Sequence, residues 1–89
     1  MIPDSVGPLM PLADVWGVGD DIQRSLMVER ASADELRDMV AAVDAIPHDE
    51  VYGWLAGPES RSSTPSREYM AVTCLTMATD EARVRLGQP

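Results

Sequence analysis

Phenylalanine, lysine and asparagine are missing altogether from these 89 residues. Without Phe, a core has to be filled by Leu, Val, Met and the two Trp. Without Lys, all seven cations are Arg, set against 15 carboxylates, for a net charge of −8. The three missing residue types have AT-rich codons, so their joint absence points to a GC-rich genome and carries no mechanism. Cysteine occurs once, at Cys74, which excludes an intramolecular disulfide and fits a reducing compartment. No apolar run approaches the roughly 20 residues needed to cross a bilayer. The opening "MIPDSVGPLMPLAD" lacks a basic region and a long apolar stretch, so it does not read as a secretory signal. A cytoplasmic chain is expected. Histidine also occurs once, at His48, which leaves little material for catalysis.

What is present suffices for one small domain. Apolar residues make up 45% of the chain and are spread along it, enough for a core in a domain of this size. The charge is uneven. Residues 1–60 hold twelve acids against three Arg, whereas residues 61–89 hold four Arg against three acids. An acidic majority works against polyanions, because affinity for nucleic acid comes largely from cations that neutralise phosphates.

Residues 1–12 contain Pro3, Gly7, Pro8 and Pro11 and read as an extended arm, with a single helical domain over 13–87. Trp16, with Val15 and Val18, is expected to plug one end of the core. Gly17 and Gly19 have the spacing of a fragment of a phosphate-binding loop, but no strand precedes them and position 22 is Ile. A first helix is predicted from about Asp20 to Arg30, capped by Gly19 or Asp20, with Val18, Ile22 and Leu26 on its buried stripe. "SADE" then places Ser32 three residues before Glu35, a capping box. Leu36, Met39, Val40, Val43 and Ile46 follow at helical spacing, and Pro47 stops that helix. Pro47 also suits the first turn of the next, where Val51, Trp54 and Leu55 face inward before Gly57 and Pro58. "PESRSSTPS" is a polar connection. The last helix is predicted from Thr64–Pro65 to Leu86. Val72, Leu75, Ala82 and Leu86 fill one of its faces, and Met70, Cys74, Met77 and Val84 another. The fold class expected is all-α, a small bundle of four to five short helices.

"VAAVDAIPHDEVYGWLAG" followed by "STPSREYMAVTCLTMAT" resembles the lambda-repressor-like helix-turn-helix family of small prokaryotic and phage regulators, across residues 20–79. The resemblance gives Val40 and Ala41 to the scanning helix, Ile46 to the turn, and Val51 and Trp54 to the anchor of the recognition helix. Gly57 would end that helix, and Pro65 with Ser66 would open the next. The chain departs from the pattern at Asp44, where the family has a buried Leu, and at Ala45, where it prefers Gly. The positions that would face the major groove are Pro47, His48, Asp49, Glu50, Tyr52 and Gly53. Base edges are read mostly by Arg, Lys, Asn, Gln, Ser and Thr, and none of these occurs there. Carboxylates would meet the phosphates instead.

Other chemistries fare no better. His48, Asp49 and Glu50 are adjacent on one helix turn and converge poorly on a metal ion. Cys74 lies in an apolar stretch with no cation close in sequence, so it reads as a small hydrophobe. No cofactor and no metal are expected, and no enzyme. The expectation is a small acidic, non-catalytic protein-binding regulator or inhibitor, of the kind phages and bacteria encode against a host protein. Its partner would carry a basic surface. Asp34, Glu35, Asp38, Asp49 and Glu50 would steer encounter, and Trp16, Tyr52, Met70 and Met77 would serve as apolar anchors. The Met70/Met77 face also suits a homodimer through the C-terminal helix. The alternative is a transcriptional regulator with Arg61, Arg67, Arg83 and Arg85 on DNA phosphates. A third is a nucleic-acid mimic.

Overall fold

A computed structural model describes residues 2–17 and 20–87. Over these residues the chain is all-α, with no strand. A 3-10 helix, Asp4–Leu9, leads into α1 (Met10–Trp16), followed by α2 (Asp21–Arg30), α3 (Ala33–Asp44) and α4 (His48–Leu55). A 3-10 turn, Pro58–Arg61, then leads to the longest helix, α5 (Arg67–Arg85). The radius of gyration is 12.7 Å. No described helix is long and apolar enough to cross a membrane.

The expected extended arm over residues 1–12 is instead helical, and it belongs to the core. Proline fixes φ near −65° and lacks an N–H, which the first turn of a helix tolerates. Pro11 sits in the first turn of α1, and Pro8 lies within the 3-10 helix. The prolines therefore start helices here. Val6, Leu9, Ala13 and Trp16 recur at spacings of three and four and are all buried. Trp16 is 8% exposed, so it is not the protruding anchor expected of it. Val15, expected to plug the core beside it, is 53% exposed.

Helix α2 is capped by Asp20, whose carboxylate accepts the Gln23 N–H at 2.8 Å. Its buried stripe differs from the one expected. Ile22 is 72% and Leu26 38% exposed, while Arg24 and Val28 face inward. Val18 and Gly19, the other residues assigned to that stripe and cap, lie outside the described residues. The buried Arg24 is held by its terminal nitrogens, with Nη1 2.8 Å from Asp21 and Nη2 3.6 Å from Glu81 on α5, while its buried Nε has no hydrogen-bond partner among the described residues. The Asp21 hydrogen bond, helped by Glu81, holds the Arg24 pKa above its ordinary value.

Helix α3 begins as its sequence dictates. The Ser32 hydroxyl accepts the Glu35 N–H at 3.1 Å and lies 3.2 Å from the Glu35 carboxylate. Leu36, Met39, Val40 and Val43 are buried. Pro47 is the N-cap of α4, and Val51 is the buried residue of that helix. Trp54 meets Tyr69 edge-to-face at 5.4 Å, and the Tyr69 hydroxyl donates to the Leu55 carbonyl, tying α4 to the start of α5. Helix α5 starts two residues beyond Pro65 because the Ser66 hydroxyl caps it, accepting the Tyr69 N–H at 3.2 Å.

Helix α5 is the axis of the bundle, with α1, α2 and α3 each packed mainly on it. Val72, Leu75, Ala78 and Ala82 are fully buried. Thr79 joins them, donating its hydroxyl proton to the Leu75 carbonyl at 2.7 Å. Helix α1 comes close enough that a Cβ at Gly17 would run into the Ala71 carbonyl oxygen and stand 2.7 Å from that of Ala13. Only glycine fits that position without displacement.

Candidate functional site

Three helices supply matching triads at i, i+3 and i+4 to one open groove. Helix α1 gives Leu12, Val15 and Trp16; the end of α2 gives Met27, Arg30 and Ala31; α3 gives Glu35, Asp38 and Met39. In a helix this spacing puts three side chains on one face. Two hollows of about 290 Å³ each share Val15, Trp16 and Glu35 and so run into one another. A third, of about 240 Å³, continues past Met27 and Arg30 to Gln23 and Leu26. The result is an elongated trough with an apolar floor, Asp38 toward one end, and Glu35 and Arg30 both lining its middle hollow.

The trough gathers three of the residues singled out by sequence: Trp16, Glu35 and Asp38. Trp16 serves as floor. Leu12, Val15, Met27 and Ala31 were not recognised as its walls, although the i, i+3, i+4 spacing was available in the sequence. Asp34 lies on α3 outside the trough lining and is bound to Arg37 at 3.2 Å. Asp21 and Asp44 likewise have arginine partners. Among the described residues, no cation stands within ion-pair distance of Glu35 or Asp38.

The remaining candidates sit on other elements. On α4, Asp49, Glu50 and Tyr52 are exposed, and the Tyr52 ring lies edge-on to His48 with centroids 5.9 Å apart. His48 Nε2 is 3.5 Å from Asp44, whose carboxylate accepts both terminal nitrogens of Arg83, at 2.5 and 3.2 Å. The Arg83 hydrogen bond, with His48 as a minor influence, holds the Asp44 pKa below its ordinary value. This pairing ties the end of α3 to the end of α5.

Beneath His48 and Tyr52 lies a cavity of about 20 Å³, walled by Leu9, Val43, Ile46, Val51, Leu75 and Thr76. That is room for about one water. On α5, Met70 and Met77 are exposed and Cys74 is half-buried. No cluster of three His, Cys, Asp or Glu side chains suited to a metal ion occurs among the described residues.

Comparison with known protein families, with curated proteins and with solved structures returned no match for this chain.

Proposed function

We propose that this chain is a non-catalytic protein-binding regulator whose trough receives an amphipathic, cationic helix of another protein. The observation that carries this is the apolar floor of Leu12, Val15, Trp16 and Met27 beside two carboxylates, Glu35 and Asp38, that have no ion-pair partner among the described residues. A helix laid in such a groove buries its apolar side chains at i, i+3, i+4 and i+7. Its Arg or Lys residues meet Glu35 and Asp38. Arg30, lining the same hollow as Glu35, favours an acidic or uncharged residue beside it.

The net charge of −8 raises the encounter rate with a basic partner. Screening confines that effect to about 8 Å at physiological salt, so the carboxylates at the groove itself matter most. Affinity then comes from desolvating the apolar floor. On the DNA-binding alternative, α4 would enter the groove with Asp49 and Glu50 exposed, and Arg83 would have to leave Asp44 to reach a phosphate.

The test uses a protein captured from an extract of the organism that encodes the chain, with the purified pair then followed on a biosensor. Reversing Glu35 and Asp38 to Arg is expected to slow association about tenfold, with a fall of a few degrees in melting temperature from the lost Glu35–Ser32 contact at the start of α3. Val15→Glu is expected to accelerate dissociation instead. A partner that binds the parent and both variants alike would refute the groove. Salt-sensitive capture of a defined DNA duplex would refute the whole reading.

A further inference from the structure

The trough leaves one large apolar feature unused, the outer face of α5. Met70, Met77 and Val84 are 55%, 45% and 77% exposed and stand seven residues apart. At 100° per residue they form a line that drifts by only about 20° per step. That line runs along the side of α5 opposite Val72, Leu75, Ala78, Thr79 and Ala82, the residues turned to the core. Seven-residue spacing of exposed apolar side chains on a straight helix is the pattern of a seam between two helices. The seam is also uncharged: no ionisable acid or base other than Tyr69 and Cys74 lies between Glu68 and Asp80.

The charges at its two ends identify the occupant. Arg67 stands at one end with no ion-pair partner among the described residues, and Asp80 with Glu81 stands at the other. A second copy laid antiparallel, with its two-fold axis between Thr73 and Cys74, sets Met70 against Met77 of that copy. The same register brings Arg67 to the Asp80–Glu81 end. On a helical wheel Arg67 and Glu81 fall on the same flank of the seam, and a two-fold axis perpendicular to the helices joins like flanks. Glu81 already accepts the Ser25 hydroxyl and lies 3.6 Å from Arg24, so its carboxylate is held in place. Parallel pairing would bring Arg67 to the level of Arg67 and Glu81 to the level of Glu81, so that no opposite charges meet. We propose that α5 pairs antiparallel with α5 of a second copy of this chain, centred between Thr73 and Cys74, while the trough on α1, α2 and α3 is left free.

The paired span from Arg67 to Glu81 is about 22 Å of helix, with Met70 and Met77 inside it and Val84 beyond its end. An interface this short falls below the size of a permanent dimer, so association is weak and depends on concentration. Sedimentation equilibrium of the full chain from about 10 μM to 1 mM tests it. The mass is expected to rise from 9.7 kDa toward twice that value. Met77→Glu and, separately, Met70→Glu are expected to hold the mass at the monomer value with the melting temperature kept, because both side chains are exposed. Arg67→Glu should raise the dissociation constant about tenfold. In a Cys74→Ala background, spin labels at Val84→Cys are expected about 32 Å apart in the antiparallel dimer, against about 10 Å for parallel helices. A mass of 9.7 kDa throughout overturns the proposal. So does a dimer that survives the Met variants, or a short distance between the labels.

Discussion

Truncating Leu9 to alanine tests whether the first helical turns belong to the core. Leu9 is 2% exposed and borders the small cavity under His48, beside Val43, Val51 and Leu75. Loss of a buried Leu side chain costs about 3 kcal/mol, with a range of roughly 2 to 5 set by how far the surroundings collapse. Collapse is restricted here, because the vacated volume merges with an existing void instead of being filled by a mobile neighbour. A domain of this length has a total stability of about 4 to 13 kcal/mol, so the loss is a large share. At about 4 to 8 °C per kcal/mol, the melting temperature should fall by about 12 to 24 °C. Thermal unfolding followed by circular dichroism reads this directly, with urea unfolding as a check that the denaturant slope is unchanged. Ile2→Ala is the internal control, since Ile2 is 43% exposed and its truncation should move the midpoint by no more than about 2 °C. If Leu9→Ala melts within about 2 °C of the parent, the segment is a loose arm and the core described above is wrong.

Gly17→Ala forces a methyl group against the Ala71 and Ala13 carbonyls and should cost about 1 to 3 kcal/mol, measured by urea unfolding; a neutral result would mean α1 does not approach α5 this closely. Ser32→Ala removes the α3 cap and should cost about 1 kcal/mol, and Ser32→Asp should restore most of it. The Asp44 carboxyl titrates below the ordinary value of 3.8 because Arg83 binds its charged form. Its stabilising contribution is therefore complete above that value and is lost as pH falls through the folded-state pKa below it. Asp44→Asn should lower the melting temperature near neutral pH and converge with the parent in strong acid; parallel curves at every pH would contradict the pairing. Asp38→Arg alone, which breaks no ion pair and lies beyond the first turn of α3, should slow partner association while the melting curve barely moves, which biosensor and thermal unfolding report side by side.

Local chemistry made the chain from Ser32 onward legible. Ser32 with Glu35, Pro47, Ser66 and Gly87 mark helix ends through hydrogen bonds and backbone limits that operate within a few residues. The apolar stripe Leu36–Met39–Val40–Val43 is buried as its period implies. The residues before Ser32 were harder because their signals conflict. Pro8 and Pro11 look like breakers, yet they sit where helices tolerate them. The stripe Val6–Leu9–Ala13–Trp16 was hidden by that assumption. In α2, Ile22 and Leu26 compete with Arg24 and Val28 for the inward face. The winning face is chosen by Asp21 and Glu81, and Glu81 comes from the far end of the sequence.

The trough was half legible for the same reason. Its carboxylates lie on α3, whose pattern is clear, and its apolar walls lie on α1 and α2, whose patterns are not. The segregation of Asp49, Glu50 and Tyr52 onto α4, away from Glu35 and Asp38, depends on how the helices cross, and no spacing within one helix reports that.

Because α1, α2 and α3 lean chiefly on α5 and little on one another, the order of synthesis is the reverse of the order of need. A ribosome releases the three peripheral helices before the element that holds them together. The nascent chain must wait, greasy and unassembled, for its final stretch to emerge, and a message cut short before residue 67 would yield a polypeptide with nothing to condense around.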